Sequence, residues 1–254
     1  MQSRLETAIE ACWRAGKITL RYYQSHPSVE IKSDGSPVTV ADREAEQEIR
    51  AVLSRHFPED GIIGEESGIT SPRNGGTWYV DPIDGTRSFI AGVPFYAVLL
   101  AYETGGETPL GVAYFPALDE MIWASKGNGC FWNGRRVTVS SLEQLGEATM
   151  LLTDFNEFYR RGYGEALRHL CEKTRLQRTW GDAYGHFLVA TGRAEIMLDP
   201  IMADWDCAAL MPIIEEAGGR FTDWKGNATI HGRSAISTNG ALHDEVIQAF
   251  SERT

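Results

Sequence analysis

The sequence predicts a layered α+β protein rather than a barrel. Two observations carry this. Strand-like runs punctuated by Gly and Pro crowd the stretch from Tyr79 to Val139, and helical periodicity brackets that stretch on both sides, returning between short strands after Met150. With 254 residues, 43% of them apolar and 23% charged, the chain can bury a sizeable core without staples. No internal repeat and no Pro-, Gly- or Ser-rich linker divides it. The expectation is one domain over residues 1–254 with two closely joined lobes, about 1–145 and about 146–254.

Residues 3–23 predict a first helix, because Leu5, Ala8, Ile9, Cys12, Trp13 and Ala15 recur near helical spacing. Residues 40–57 predict a second, with Ala45, Ile49, Val52, Leu53 and Phe57 as its apolar face. The segment GIIGEESG reads as a short strand running into an acidic loop. PFYAVLLAYE, LGVAYFP, MIWASKGNG and RRVTVS then suggest an antiparallel meander. Beyond it, helices are expected near 158–173, 183–192, 205–217 and 242–252, the third kinked by Pro212.

Composition narrows the function. The net charge is −11, and basic residues form no cluster beyond pairs such as Arg135-Arg136, which argues against nucleic acid as a partner. An acidic protein that handled a phosphorylated small molecule would need cations to reverse the local field. No run of eighteen apolar residues suggests a membrane span, and the charged N-terminal segment has no signal-peptide core, so a cytoplasmic protein is expected. Cys12, Cys130, Cys171 and Cys207 lie far apart without zinc spacing, and reduced thiols are expected.

Five carboxylates stand where apolar elements end. Asp206 shares a helical face with Ala209, Leu210, Ile213, Ile214 and Ala217, where an unpaired charge is costly to bury. Its plainer reading is a first-turn acid behind an Asp204 cap. Asp42 shares a face with Ala45, Ile49 and Val52, and Thr39-x-x-Asp42 also fits a capping box. Glu65 and Glu66 follow the apolar GIIG directly. Asp81 and Asp84 close the strand that begins Trp78-Tyr79-Val80, with Pro82 stiffening the bend between them. Two acids on such a bend suit a hard, oxygen-seeking cation such as Mg²⁺. Gly85-Thr86 then opens RSFIAG, one or two helical turns whose free N–H groups make a phosphate seat. Acids at 42, 65, 81, 84 and 206 together favour one shared metal site over five independent caps.

GEES at 64–67, DPIDGT at 81–86, and Trp205-Asp206 before a helix ending EEAGG resemble the inositol monophosphatase superfamily of Mg²⁺-dependent, lithium-sensitive phosphatases. The resemblance runs from the first helix to the last strand. It implies a layered αβαβα sandwich of the inositol monophosphatase/fructose-1,6-bisphosphatase kind, a homodimer, and two or three Mg²⁺ per site. It implies that Glu65, Asp81 and the Ile83 carbonyl hold one metal, and that Asp81, Asp84 and Asp206 hold another. The Gly85 and Thr86 amides would bind phosphate. Thr86 and Asp42 would orient and deprotonate the attacking water, so that Asp42, Thr86 and Glu65 form the catalytic set. Two cations about 3.5–4 Å apart would activate water on one side and stabilise the leaving alkoxide on the other, with no covalent nucleophile.

The segment TWGDAYGHFLVATGRAEIMLDP at 179–200, with DGTRSF, resembles the histidinol-phosphate phosphatases of this superfamily, which serve histidine biosynthesis. His186 stands where Tyr is usual and Arg87 where Lys is usual. Histidinol phosphate carries an ammonium and an imidazole. Asp182 and Asp199 would meet these through charge-assisted hydrogen bonds, with Asp206 also facing the substrate. Asp182 reads equally as a helix cap, Asp199-Pro200 as a turn, and Tyr184 and His186 as core or pocket lining. The rival readings are an inositol-1-phosphate or broad sugar-phosphate phosphatase, a 3′-phosphoadenosine nucleotidase, and a non-catalytic metal- or phosphate-binding member of the family.

Overall fold

The meander predicted from Tyr79 onward is the middle of an eight-stranded sheet. The structure, a computed structural model, describes residues 1–251. Helix α1 (Gln2–Tyr22) leads to a hairpin of β1 (Val29–Ile31) and β2 (Pro37–Thr39), then to α2 (Val40–His56). Next come β3 (Gly61–Gly64), β4 (Gly68–Thr70), β5 (Gly76–Asp84) and the five-residue α3 (Thr86–Ile90). Strands β6 (Ala97–Thr104), β7 (Glu107–Phe115), β8 (Glu120–Ser125), β9 (Gly129–Trp132) and β10 (Arg135–Val137) complete the first sheet, whose order is β10-β9-β8-β7-β6-β5-β3-β4. Its pairs are antiparallel except β3 with β5, which run parallel.

The second half alternates. It contains β11 (Thr149–Leu152), α4 (Phe155–Arg160), α5 (Gly164–Lys173), β12 (Leu176–Arg178), α6 (Asp182–Ala190), β13 (Ile196–Asp199), α7 (Asp204–Glu216), β14 (Arg220–Thr222), β15 (Ala235–Thr238) and α8 (His243–Ser251). The second sheet has the order β12-β11-β13-β15-β14, with β12, β11 and β13 parallel and the other two pairings antiparallel.

Three apolar cores give the αβαβα layering that the motifs imply. One joins α1 and α2 to the outer face of the first sheet. A second fills the space between the sheets, where Ala183, Phe187, Leu210 and Ile213 of α6 and α7 meet Leu99, Ala113 and Met197. The third places Phe158, Leu167, Leu170 and Phe250 of α4, α5 and α8 on the far side of the second sheet. The outer helices α1, α2, α5 and α8 are amphipathic because one face packs on the protein and the other meets solvent. In contrast, α6 and α7 between the sheets, and strands buried on both faces such as Ala97–Tyr102 of β6, are apolar without alternation.

Some elements differ from expectation. Trp13 lies off the buried face of α1 and is 49% exposed, with the Lys17 ammonium 5.3 Å from its ring centroid. The buried stripe is made of smaller residues, Ala8, Ala11, Cys12 and Ala15, because Gly16 brings the helix so close to Tyr114 that a Cβ there would lie 2.4 Å from the ring. The single helix expected over 158–173 is two, separated where Gly162 takes φ +78°. Helix α7 runs through Pro212 without interruption. Strand β10 ends at Val137, short of the expected Val139.

The feature that matters most lies in β5. Residues three apart in a regular strand point to opposite faces. Here Asp81 pairs with Leu99 and Asp84 with Ala97, so β5 carries one residue more than its partner between the two acids. That bulge reverses the alternation and brings both carboxylates to one side.

The middle helical layer rests on a near-contact of backbones. A Cβ on Gly111 of β7 would lie 2.2 Å from the Ala209 carbonyl oxygen and 2.9 Å from Pro212 Cγ on α7. Gly111→Ala is therefore expected to cost about 2 kcal/mol or more through overpacking. This corresponds to a fall in Tm of roughly 4–8 °C, readable by thermal unfolding. An unchanged Tm would contradict this packing.

Candidate active site

Strand ends and helix starts converge at the bulge. Asp81 and Asp84 come from β5, Asp206 from the first turn of α7, and one oxygen of each lies within 4.8 Å of the others. Asp81 is 2% exposed, the other two partly so. Each is oriented through one oxygen by a backbone N–H. Asp81 Oδ1 accepts from Ile83 at 2.9 Å, Asp84 Oδ2 from Ala183 of α6 at 2.7 Å, and Asp206 Oδ2 from Ala203 at 2.7 Å. The expected Asp204 cap is not formed. Ala203 holds the N-cap position, and Asp204 instead pairs with His231 at 2.8 Å.

Burial, and then the neighbouring carboxylates, hold Asp81 and Asp84 well above the usual carboxylate range, and burial pushes Asp206 up to about 7. Three acids this close, each with an oxygen not spent on a backbone N–H, suit a divalent cation, whose charge would offset their repulsion.

Asp42 is both cap and anomaly. Its Oδ2 accepts from the Thr39 N–H at 2.8 Å and the Thr39 hydroxyl at 2.6 Å, completing the capping box. Its Oδ1 is buried without a partner, which capping leaves unexplained. Glu65 stands outside the tight triad, held at 2.7 Å by Lys32 Nζ, which also reaches Glu66 at 2.7 Å. Lys32, in the turn after β1, is unmarked in the sequence. Glu46 is likewise unmarked in the sequence. It accepts from the Glu66 and Ser67 N–H groups and from Arg50, and so shapes the acidic loop.

Gly85 turns the chain into α3 with φ +77°, a conformation that favours glycine. The first N–H groups of the short helix have no partner within it. The Thr86 hydroxyl donates to the Ile83 carbonyl at 3.0 Å rather than to Asp42. Asp182, first residue of α6, lies against this turn, since a Cβ on Gly85 would be 3.0 Å from its Oδ2. Gly181, not Asp182, is the helix cap. Burial pushes Asp182 up to about 6, with the Ser88 hydroxyl at 3.4 Å and the Arg87 charge opposing this.

Asp199 closes β13 at 3% exposure, accepting from the Thr153 hydroxyl at 2.6 Å and the Ile201 N–H at 3.3 Å. The structure thus gathers Asp81, Asp84, Asp206, Gly85, Thr86 and Asp182, with the Glu65 carboxyl against Asp81. His186 belongs to the core: it is fully buried, its Nδ1 is 2.6 Å from Ser237 Oγ, and burial pushes it down to about 3. Tyr184 stacks on Phe95 with ring centroids 4.5 Å apart.

The model of the inositol monophosphatase family matches residues 1–254. The chain is 44% identical over 253 residues to a histidinol-phosphatase of Chlorobaculum parvum, covering 98% of this chain and 97% of that one. It is 39% identical over 249 residues to a histidinol-phosphatase of Mycobacterium tuberculosis, covering 96% of each. Among solved structures, the extragenic suppressor protein suhB of Bartonella henselae superposes with a TM-score of 0.93 at 30% identity, covering 99% of this chain and 100% of that one.

The raised acids give the metal-free protein a signed pH dependence. Between the ordinary Asp range near 4 and the value of about 7 for Asp206, the folded state binds more protons than the unfolded one, so stability falls as pH rises through that window. The Tm after chelation should drop between about pH 5 and about pH 7.5, and Asp84→Asn should flatten the drop. Added Mg²⁺ should raise Tm chiefly at the upper end, and less in Asp84→Asn. An equal slope in both proteins would remove the repulsion argument.

Proposed function

This chain belongs to the inositol monophosphatase family, and from that premise we propose that it is a Mg²⁺-dependent phosphate monoester hydrolase converting histidinol phosphate to histidinol and phosphate, a step of histidine biosynthesis. The observation that carries the substrate reading is the Asp182 carboxylate lying against the Gly85 turn. An acid beside a phosphate seat repels a second anion and favours a substrate whose remainder is cationic. Residues 1–145 would then supply the phosphate seat and most of the metal ligands, residues 146–254 the substrate-selecting segment and Asp206. The working form would be a homodimer with two or three ions per site.

Asp81, Asp84 and Asp206 would hold one ion, and Glu65, Asp81 and the Ile83 carbonyl another, with Lys32 releasing Glu65. Bound Mg²⁺ would supply Lewis acidity at the attacking water and at the leaving oxygen. The Gly85 and Thr86 N–H groups would donate to phosphate oxygens and fix the ester in place. Asp42 would receive the proton from water at Oδ1, since its other oxygen is committed to Thr39. The Thr86 hydroxyl would turn from Ile83 to orient that water.

The test is phosphate release with Mg²⁺ from histidinol phosphate, inositol-1-phosphate and 3′-phosphoadenosine 5′-phosphate, side by side. A kcat/KM preference of about a hundredfold for histidinol phosphate is expected, roughly 2.7 kcal/mol of transition-state discrimination. Equal or better turnover of inositol-1-phosphate would overturn the substrate and leave the hydrolase. No release from any of them would favour a non-catalytic member. Asp42→Asn should lower kcat by about a hundredfold or more at unchanged Tm, and full activity in that variant would overturn its role as proton acceptor.

A further inference from the structure

We propose that Thr153, anchored by Asp199, is a positioning residue that sets the Asp182 carboxylate for the cationic part of the substrate, an inference that rests on the histidinol-phosphate reading. Thr153 follows β11 directly, and its N–H donates to the Leu198 carbonyl of the neighbouring β13 at 3.3 Å. Its hydroxyl accepts from the Asp182 N–H at 3.0 Å and donates to Asp199 Oδ2 at 2.6 Å. The Asp182 backbone N–H can only donate, so the hydroxyl oxygen accepts from it and the one hydroxyl proton is left for Asp199.

The arrangement holds Asp182 in a conformation it would not choose. Its φ of +53° lies in the left-handed region, unfavourable for a residue with a Cβ. The residue before it is pressed onto Thr153. A Cβ on Gly181 would lie 2.6 Å from Thr153 Cα and 2.7 Å from its Oγ. The residue after it, Ala183, donates to Asp84 at 2.7 Å. Asp182 is thus gripped by Thr153 on one side and by the bulge of β5 on the other, and this sets its carboxylate against Gly85.

The two acids have different parts. Asp199 is almost fully buried and spends both oxygens inside the chain. Asp182 has the Ser88 hydroxyl at 3.4 Å as its side-chain hydrogen bond. Asp182 presents the charge, and Asp199 holds the hydroxyl that holds Asp182.

Thr153→Val keeps the shape and removes the hydroxyl, whereas Thr153→Ser keeps the hydroxyl. Steady-state kinetics of the Mg²⁺-loaded enzyme on histidinol phosphate and inositol-1-phosphate, with Tm as a fold check, decide the matter. Thr153→Val should raise KM for histidinol phosphate at least about tenfold, with kcat and both inositol-1-phosphate constants within about threefold of wild type. Thr153→Ser should stay within about threefold throughout. A similar loss on both substrates, an unchanged KM, or a Ser variant behaving like Val would overturn the inference. If the Val variant does not fold, a tenfold rise in the KM of the Ser variant would overturn it just as well, and a Ser variant within threefold supports it. A wild type without preference for histidinol phosphate fails the substrate reading and this inference together. A selective wild type whose preference survives Thr153→Val sinks this inference alone.

Discussion

The single extra residue between Asp81 and Asp84 is the constraint on which the site depends. Without it, strand alternation would send the two carboxylates to opposite faces of the first sheet. With it, they share a side and meet Asp206 closely enough for one cation. Pro82 lies inside the irregular segment, where the missing N–H does no harm to a ladder already broken. The bulge stores repulsion among like charges, and the surrounding layers hold it in place because both sheets and the helices between them are packed from apolar residues.

Fixing the acids without neutralising them follows a common pattern. Asp42, Asp81, Asp84 and Asp206 each give one oxygen to a backbone N–H. Such a bond sets the angle of a carboxylate at little cost and leaves its other oxygen unspent on that bond. Two of the donors, Ala203 and Thr39, are helix N-caps, so the same contact that starts the helix aims the acid. Capping therefore does not exclude a second role for Asp42 or Asp206, since it uses one oxygen of each. A third donor, Ala183, belongs to α6, which ties the acid cluster of the first sheet to the segment that carries Asp182.

This tie sets two groups of acids side by side. The β5 bulge and the starts of α2, α3 and α7 make a site suited to a metal and a phosphate. The starts of α6 and the ends of β11 and β13 make an acidic wall beside it, spaced by a threonine hydroxyl. Lys32 contributes an ammonium that bridges Glu65 and Glu66. A cationic side chain from a short hairpin is well placed to steady these acids because both lie on one loop whose backbone Glu46 already holds.

The sequence by itself determined the family, the layered α+β class, and the residue types at the site. DPIDGT, GEES and the Trp205-Asp206 pair are local, and acids closing apolar runs are conspicuous because burying charge is costly. The buried face of α7 was legible in the same way, from Ala209, Leu210, Ile213 and Ile214. Contacts between distant segments were not. Thr153 reaches Asp182 across 29 positions of sequence and Asp199 across 46, and Lys32 reaches Glu65 across 33. Nothing in the periodicity around those residues marks them. Trp13 was misplaced because periodicity cannot say how near a neighbouring strand will come, and Gly16 meets Tyr114 too closely for a large ring to share that face. Sequence set which groups were available and how each element would fold locally. Tertiary structure decided which oxygen of each acid takes the backbone N–H, which acid lies against the Gly85 turn, and which hydroxyl meets the Asp182 N–H, because hydrogen-bond geometry exists only once the layers are packed.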